Sequence, residues 1–374
     1  MKNVFDTNCL LHHPDCLTEY ENVVIPYSVL EELDQIKFDN RRSRETKYVA
    51  RRAVRNLVDY NIECKDFNNE YNIADDDLLE ISQLDCYKVY TGDLLLVKKG
   101  KALNANIELF DPEIDTYTGI VERDLSPKDY NKFIENGNIG WGHEELYHNQ
   151  FIDFGEVLGQ YRDGQVFKVS WNNARKVRDI KELNRRQILA YELLQDRSVT
   201  VAVLWGRAGT GKTALATKTA FDFVQKSYYD KVMISSPNVQ VTEELGFLPG
   251  GIEEKQAPYI QPFADNMESY QLNAQIQPLS TVKGRDIKDT LYIIDEAQDI
   301  PPSHMKLLVE RIGKGSKVIF TGDVRQIDKA GLTPHYNGIT FLTNRLKGQE
   351  GFGCIELDEI ERSDTAKLGR FLEE

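Results

Sequence analysis

The chain has 374 residues and a formal charge of −14, from 46 Lys and Arg against 60 Asp and Glu, and its length predicts two domains or three. With 41% apolar and 28% charged residues it is neither chiefly disordered nor fibrous, and no apolar run approaches the roughly 18–20 residues that span a bilayer. The acid excess argues against a protein that coats nucleic acid by bulk charge, while leaving room for an enzyme with a local basic track.

Residues 1–110 alternate short apolar runs with helical patterns. Val23–Pro26 and Val89–Thr91 predict buried strands, and 43–59 and 77–84 predict helices, an alternation that builds a parallel sheet. Acids stand at the ends of these elements. Val4-Phe5-Asp6-Thr7-Asn8 closes a first strand, Glu31-Glu32-Leu33-Asp34 lies on a helix after the second, Asp75-Asp76-Asp77 opens another helix, and Thr91-Gly92-Asp93 ends a further strand. A parallel sheet gathers its strand ends at one edge, where four acids repel one another unless a divalent cation compensates them. One or two Mg²⁺ or Mn²⁺ ions held in that way suit phosphodiester hydrolysis. Taken singly, each acid has a second reading as the cap of its own helix, Asp75–Asp77 above all. Between these acids, residues 41–55 hold seven basic side chains against the single acid Glu45, and Arg44, Arg51 and Arg55 share one helix face. That face is either a track for RNA phosphates or a solvated surface.

From 111 to 180 the periodicity weakens, and 113–180 reads as a connector with small elements of its own. A second α/β block runs from 181, with strands expected at Val199–Trp205, Lys231–Ser235, Thr290–Ile294, Lys317–Thr321 and Cys354–Leu357. Gly206-Arg207-Ala208-Gly209-Thr210-Gly211-Lys212-Thr213 fits G-x-x-x-x-G-K-[ST] between the first of these strands and a helix expected from Ala214. Its glycines let backbone N–H groups close around phosphate oxygens, with Lys212 reaching the β- and γ-phosphates of ATP and Thr213 ligating Mg²⁺. Leu291–Ile294 ends in Asp295, placed to hold the Mg²⁺ shell, and Glu296, placed to orient or deprotonate water.

Asp295-Glu296-Ala297-Gln298 together with Thr321-Gly322-Asp323-Val324-Arg325-Gln326 resembles the Walker B and sensor motifs of superfamily-one helicases. That resemblance implies that Gln326 senses the γ-phosphate and that Gln187, in Asn184-Arg185-Arg186-Gln187, reads adenine; the polar segment equally suits an ordinary helix start. Residues 181–372 resemble the PhoH-like ATPases, through Gly246-Phe247-Leu248-Pro249-Gly250, Glu253-Glu254-Lys255, Gly284-Arg285 and the two acid motifs. Ser235-Ser236-Pro237 departs from the Arg-Pro common in that family after the second strand. Asp-Thr-Asn, Glu-Leu-Asp and Thr-Gly-Asp over 1–110 resemble a PIN domain, which implies metal-site roles for Asp6, Glu32 and Asp93, a third position at Asp75 or Asp76 with Asp76 favoured, and orienting roles for Thr91 and Asn8.

The order therefore resembles PIN–PhoH fusions: two α/β/α domains, a PIN-like parallel sheet over 1–112 and a RecA-like P-loop NTPase domain over 181–374, joined by the 113–180 connector. The resemblance implies an ATP-dependent RNA helicase or translocase coupled to a metal-dependent endoribonuclease acting on single-stranded or structured RNA. It also implies a homo-oligomer, a hexameric ring, in which Arg362 is either an arginine finger on a neighbour's nucleotide or a surface residue. Two other readings stay open, an RNA-stimulated ATPase whose PIN domain only binds RNA and an ATPase that remodels protein partners. Five cysteines (Cys9, Cys16, Cys64, Cys86 and Cys354), never spaced Cys-x-x-Cys, and an opening Met1–Asp6 that meets an acid too early for a signal peptide point to a cytoplasmic protein.

Overall fold

A computed structural model of the chain describes residues 1–67, 74–142, 146–169, 183–237, 272–282 and 286–360. It divides into two units, one of 1–115 with 327–336, the other of 116–326 with 337–374. In the first unit the short apolar runs form strands because alternate side chains reach opposite faces. β1 (Lys2–Phe5) is followed by α1 (Thr7–His12), β2 (Val23–Pro26), α2 (Tyr27–Phe38), α3 (Arg44–Asp59), β3 (Glu63–Lys65), α4 (Ala74–Ser82), β4 (Tyr87–Thr91), α5 (Leu94–Ala102) and β5 (Ile107–Leu109). The strands pair in the order β3-β2-β1-β4-β5, all parallel, with Val4 of central β1 opposite both Val24 and Val89. Phe5 packs on one face of the sheet with Leu10, Ile25 and Leu33, and Val4 on the other with Leu78, Val89 and Leu96. Helix α3 starts at Ser43, whose hydroxyl accepts the Thr46 N–H at 3.0 Å, and buries Val49, Ala50, Ala53 and Leu57 along one stripe.

The second unit opens with the stretch expected to be a connector with small elements of its own, and those elements pair into a sheet. β6 (Ile120–Glu122), α6 (Pro127–Asn136), β7 (Asn138–Gly140), β8 (Phe151–Asp153), β9 (Leu158–Arg162) and β10 (Gln165–Lys168) build a mixed sheet in the order β6-β8-β9-β10-β7. It has its own core of Phe133, Ile152, Phe154, Val157 and Val166. The stretch is also welded to the rest of its unit: Phe151 and Leu158 share a core with Leu189 and Ala202, and the buried Asn149 amide donates to the carbonyls of Glu350 at 2.8 Å and Phe352 at 2.9 Å. Strands of three to five residues carry too little periodicity to announce themselves, so the pattern emerges only through pairing across strands.

Then come α7 (Arg185–Gln195), β11 (Val201–Gly206), α8 (Lys212–Gln225), β12 (Lys231–Ser235), β13 (Gln275–Ile276), β14 (Thr290–Ile294), α9 (Pro302–Val309), β15 (Lys317–Gly322), α10 (Gly338–Leu346) and β16 (Phe352–Leu357). Helix α8 begins two residues earlier than the expected Ala214, so Lys212 is its first residue. The strands pair in the order β13-β12-β14-β15-β11-β16, every pair parallel, and β11, β14 and β15 are buried along their whole length. Lys317 in this sheet is wholly buried, yet it is satisfied: its ammonium closes the C-terminal end of α7 by donating to Leu194 O at 2.6 Å and Asp196 O at 2.8 Å.

The segment Ile327–Tyr336 was expected inside the second α/β block but belongs to the first unit. Leu332 and Tyr336 bury against Val49, the Thr333 hydroxyl donates to His12 O at 2.5 Å, Lys329 pairs with Glu45 at 3.4 Å, and Arg52 lies over the Tyr336 ring at 5.4 Å. Gly331 runs so close to α3 that a Cβ there would stand 2.7 Å from the Thr46 nitrogen, and its φ of +86° also suits glycine. The His335 ring stacks on His13 at 4.6 Å and meets His12 edge-on at 5.4 Å; His13 also bonds Glu19 at 2.8 Å. Burial, with His13 and His12 beside it, lowers the His335 pKa to about 4 from 6.5. A depressed histidine pKa means that folding excludes a proton the free chain accepts, so the docked segment is fully stable above about pH 6.5 and loses stability as pH falls toward 4. Amide hydrogen exchange over 327–336, corrected for intrinsic rate, is expected to accelerate between pH 7 and pH 5 in the native protein and to do so less in His335→Phe. Equal protection at the two pH values would remove the imidazole stack as the cause.

Candidate functional site

Because every strand of the outer two sheets is parallel, strand ends and following helix starts collect at one edge of each. In the first sheet Asp6 leaves central β1 and is 2% exposed. A carboxylate so buried needs partners. The Thr91 hydroxyl, from the end of neighbouring β4, donates to Asp6 Oδ2 at 2.7 Å, and the Thr7 hydroxyl donates to Glu32 Oε2 at 2.7 Å. Burial raises the Asp6 pKa and the charges of Glu32 and Asp75 raise it further, while Thr91 opposes them. Asp75, one of the two expected third positions, is thus a member of the acidic triplet whose charge acts on Asp6. Asp93 follows the capping reading with one oxygen, since Oδ1 accepts the N–H groups of Leu95 at 2.7 Å and Leu96 at 3.3 Å at the start of α5. Among the described residues no three His, Cys, Asp or Glu side chains close into a ready metal shell. The donor set nonetheless fits a hard divalent cation: several carboxylates feel one another's charge at a strand edge, and the innermost is held by burial and repulsion above its ordinary range.

Arg44, Arg51 and Arg55 are exposed on α3, on the face opposite Val49, Ala50, Ala53 and Leu57. Two of their basic neighbours are committed elsewhere, Arg52 to Asp15 and Arg41 to Asp39.

In the third sheet the phosphate loop leaves β11 and the acids leave β14, with β15 between them. Gly206 has φ +140°, and a Cβ there would stand 1.9 Å from Leu357 O of β16, so no other residue fits that turn. The loop continues through Gly209 and Gly211, both at positive φ, and the Thr210 hydroxyl donates to Arg207 O at 2.9 Å. Lys212 Nζ donates to the loop carbonyls of Gly206 at 2.6 Å and Arg207 at 2.8 Å, which holds it over the loop, and Thr213 follows it in the first turn of α8. The Thr321 hydroxyl, at the end of β15, donates to Asp295 Oδ1. Burial raises the Asp295 pKa against that bond and the Lys212 charge; Glu296 is raised by desolvation and then by Asp295. Glu296 also has φ +53°, a left-handed backbone that a long side chain rarely adopts.

Two glutamines are expected at the nucleotide. Gln187, expected to read adenine, is wholly buried: its Oε1 accepts Asn184 N–H at 3.2 Å in a capping box at the start of α7, and its Nε2 donates to Thr210 O at 3.1 Å. Its amide thus caps α7 with the oxygen and braces the phosphate loop with the nitrogen. The Gln326 side chain is exposed, and it is the Gln326 carbonyl that enters the network. The residue that joins the motifs is Gln298, 1% exposed, which the sequence left unassigned. Its Nε2 donates to Glu296 Oε2 at 2.6 Å and Gln326 O at 2.9 Å, and its Oε1 accepts the Asp323 N–H at 3.0 Å. Its position two residues after Glu296 was the one available signal. Arg362, 246–250, 253–255 and 284–285 lie outside the described residues.

A parallel sheet with a phosphate loop after one strand and an acid pair two strands away is a RecA-like P-loop NTPase, here following a parallel α/β domain edged with carboxylates. Residues 179–368, just over half the chain, match the family described as PhoH-like protein, and 3–84 match the PIN domain. The chain belongs to the PhoH-like family and carries a PIN domain at its N-terminus. It is 29% identical to Protein PhoH2 of Bacillus subtilis, with 98% of both chains covered, and 26% identical to Protein PhoH2 of Mycolicibacterium smegmatis, covering 98% of this chain and 95% of that one. A solved structure of Bacteroides Pif1 bound to single-stranded DNA aligns with 50% of this chain and 44% of its own at a TM-score of 0.28 and 14% identity. No helix among the described residues is long and apolar enough to cross a membrane.

Gln298→Leu keeps the side-chain volume and removes all three hydrogen bonds between Glu296 and the loop after β15. It is expected to lower kcat for ATP hydrolysis by about tenfold or more, with KM nearly unchanged. A folded variant with wild-type kcat would take Gln298 out of the catalytic arrangement.

Proposed function

We propose that the protein is an ATP-dependent RNA helicase or translocase coupled to a divalent-metal-dependent endoribonuclease. The observation that carries this reading is that one chain contains two strand-end carboxylate sites of like construction, one beside a phosphate loop and one without. In the ATPase, Gly206 to Gly211 and Lys212 hold the ATP phosphates, Thr213 and Asp295 hold Mg²⁺, and Glu296 orients or deprotonates the attacking water. Gln298 carries any displacement of Glu296 to the Gln326 carbonyl. At the N-terminal site Asp6, Glu32, Asp93 and one of Asp75 and Asp76 hold Mg²⁺ or Mn²⁺. A cation bound there supplies an activated water and compensates charge on the leaving oxygen. Thr91 keeps Asp6 oriented, and Arg44, Arg51 and Arg55 gather RNA phosphates. The protein works in the cytoplasm as a homo-oligomer, a hexameric ring in which Arg362 meets the neighbouring subunit's nucleotide.

The two chemistries separate by mutation. Lys212→Ala is expected to abolish ATP hydrolysis and retain Mn²⁺-dependent cutting of unstructured RNA, whereas Asp6→Asn with Asp93→Asn does the reverse, both read on labelled RNA with and without ATP. Loss of cutting in folded Lys212→Ala would merge the two sites into one, and persistence of cutting in the double variant would leave the acids without a catalytic role. ATP hydrolysis indifferent to single-stranded RNA would favour action on protein partners instead. Arg51→Glu with Arg55→Glu is expected to flatten the salt dependence of RNA affinity by about two in slope, and an unaltered slope would return α3 to plain solvated surface.

A further inference from the structure

Beside the acid edge of the first unit lies a half-open cavity of about 590 Å³ to which neither proposed chemistry gives a role. One side is built by the residues that flank the acids: Asn8, two positions after Asp6, and Gly92 and Leu94, on either side of Asp93. Phe110 lines it too, as do Leu332 and Thr333 of the docked 327–336 segment. We infer that this cavity is a nucleobase subsite, receiving the base of an RNA nucleotide whose phosphate lies at the Asp6 acids, with a wall supplied by the chain segment that immediately follows the ATPase loop ending in Gln326. The inference rests on the reading of the N-terminal site as a ribonuclease centre.

Four observations identify the occupant. The volume falls within the range of small-ligand sites and admits a base with its sugar. The walls combine apolar surface, from Leu94, Phe110 and Leu332, with a few polar groups, from Asn8, His12 and Thr333, which suits a flat ring with hydrogen-bonding edges. No Lys or Arg is among the residues that line it, while Asp111 is, so the cavity rejects a phosphate and the backbone stays outside. Burial and His13 lower the His12 pKa, so His12 is neutral at physiological pH and offers an imidazole edge rather than a charge. The acids take the phosphate side of the nucleotide and the cavity takes the base, as in enzymes that extract a base from a strand in order to work beside it.

The full-length protein with Ca²⁺ in place of Mg²⁺ or Mn²⁺, under conditions where no cleavage is detected, is titrated with a short single-stranded RNA carrying 2-aminopurine at one position at a time. Affinity is followed by anisotropy and the environment of the base by its emission. One position is expected to change emission on binding. Leu94→Trp, at a side chain 65% exposed and therefore tolerant of change, and Leu332→Trp, on a different segment of the chain, each fill the cavity. Each is expected to erase that change and weaken affinity by about tenfold, and an RNA abasic at that position is expected to lose the distinction between wild type and variants. RNA that binds both variants with wild-type affinity and the wild-type emission pattern overturns the subsite and leaves the ribonuclease reading standing. Wild-type protein that binds no RNA at all overturns both.

Discussion

In both α/β units a threonine hydroxyl at the end of one parallel strand donates to the aspartate at the end of its neighbour, Thr91 to Asp6 and Thr321 to Asp295. In each case the threonine opens a Thr-Gly-Asp tripeptide. The bond is needed because each aspartate emerges from a buried strand, where an ionised carboxylate without a donor costs several kcal/mol. One short donor on the adjacent strand holds the carboxylate without filling the space in front of it. Neither donor removes the strain entirely, since burial still raises both aspartates above their ordinary range. A carboxylate kept at an edge in that condition gains most from a cation.

The surroundings then differentiate the two edges. At Asp295 the edge also carries a loop whose first glycine admits no side chain and whose Lys212 charge partly offsets the two acids. At Asp6 the neighbours are further acids, Glu32 and Asp75, and no lysine or arginine acts on it among the causes of its shift. The first arrangement is suited to a polyphosphate bringing its own negative charge, the second to a cation.

Chain order and spatial order also part company. The 120–168 sheet shares a core with Leu189 and Ala202 although it follows the first unit in sequence, and the ten residues after Gln326 bury Leu332 and Tyr336 against α3 before Asn337 caps α10. Both are cases in which a few large apolar side chains decide membership, and neither segment has the regular period by which an independent element is recognised.

The strands, the phosphate loop and the strand-end positions of Asp6 and Asp295 were legible in the sequence, because a buried strand must be apolar and a phosphate loop must be glycine-rich whatever surrounds them. Even the capping alternative was legible, and Asp93 adopts it. Three things were decided by tertiary structure alone: that Gln187 bonds the phosphate loop from inside, that Gln298 ties Glu296 to the loop after β15, and that 327–336 packs with the first unit. Each depends on which groups from distant parts of the chain come within hydrogen-bonding or van der Waals reach. Local sequence sets what a residue can donate, accept or bury; the fold sets who stands opposite it.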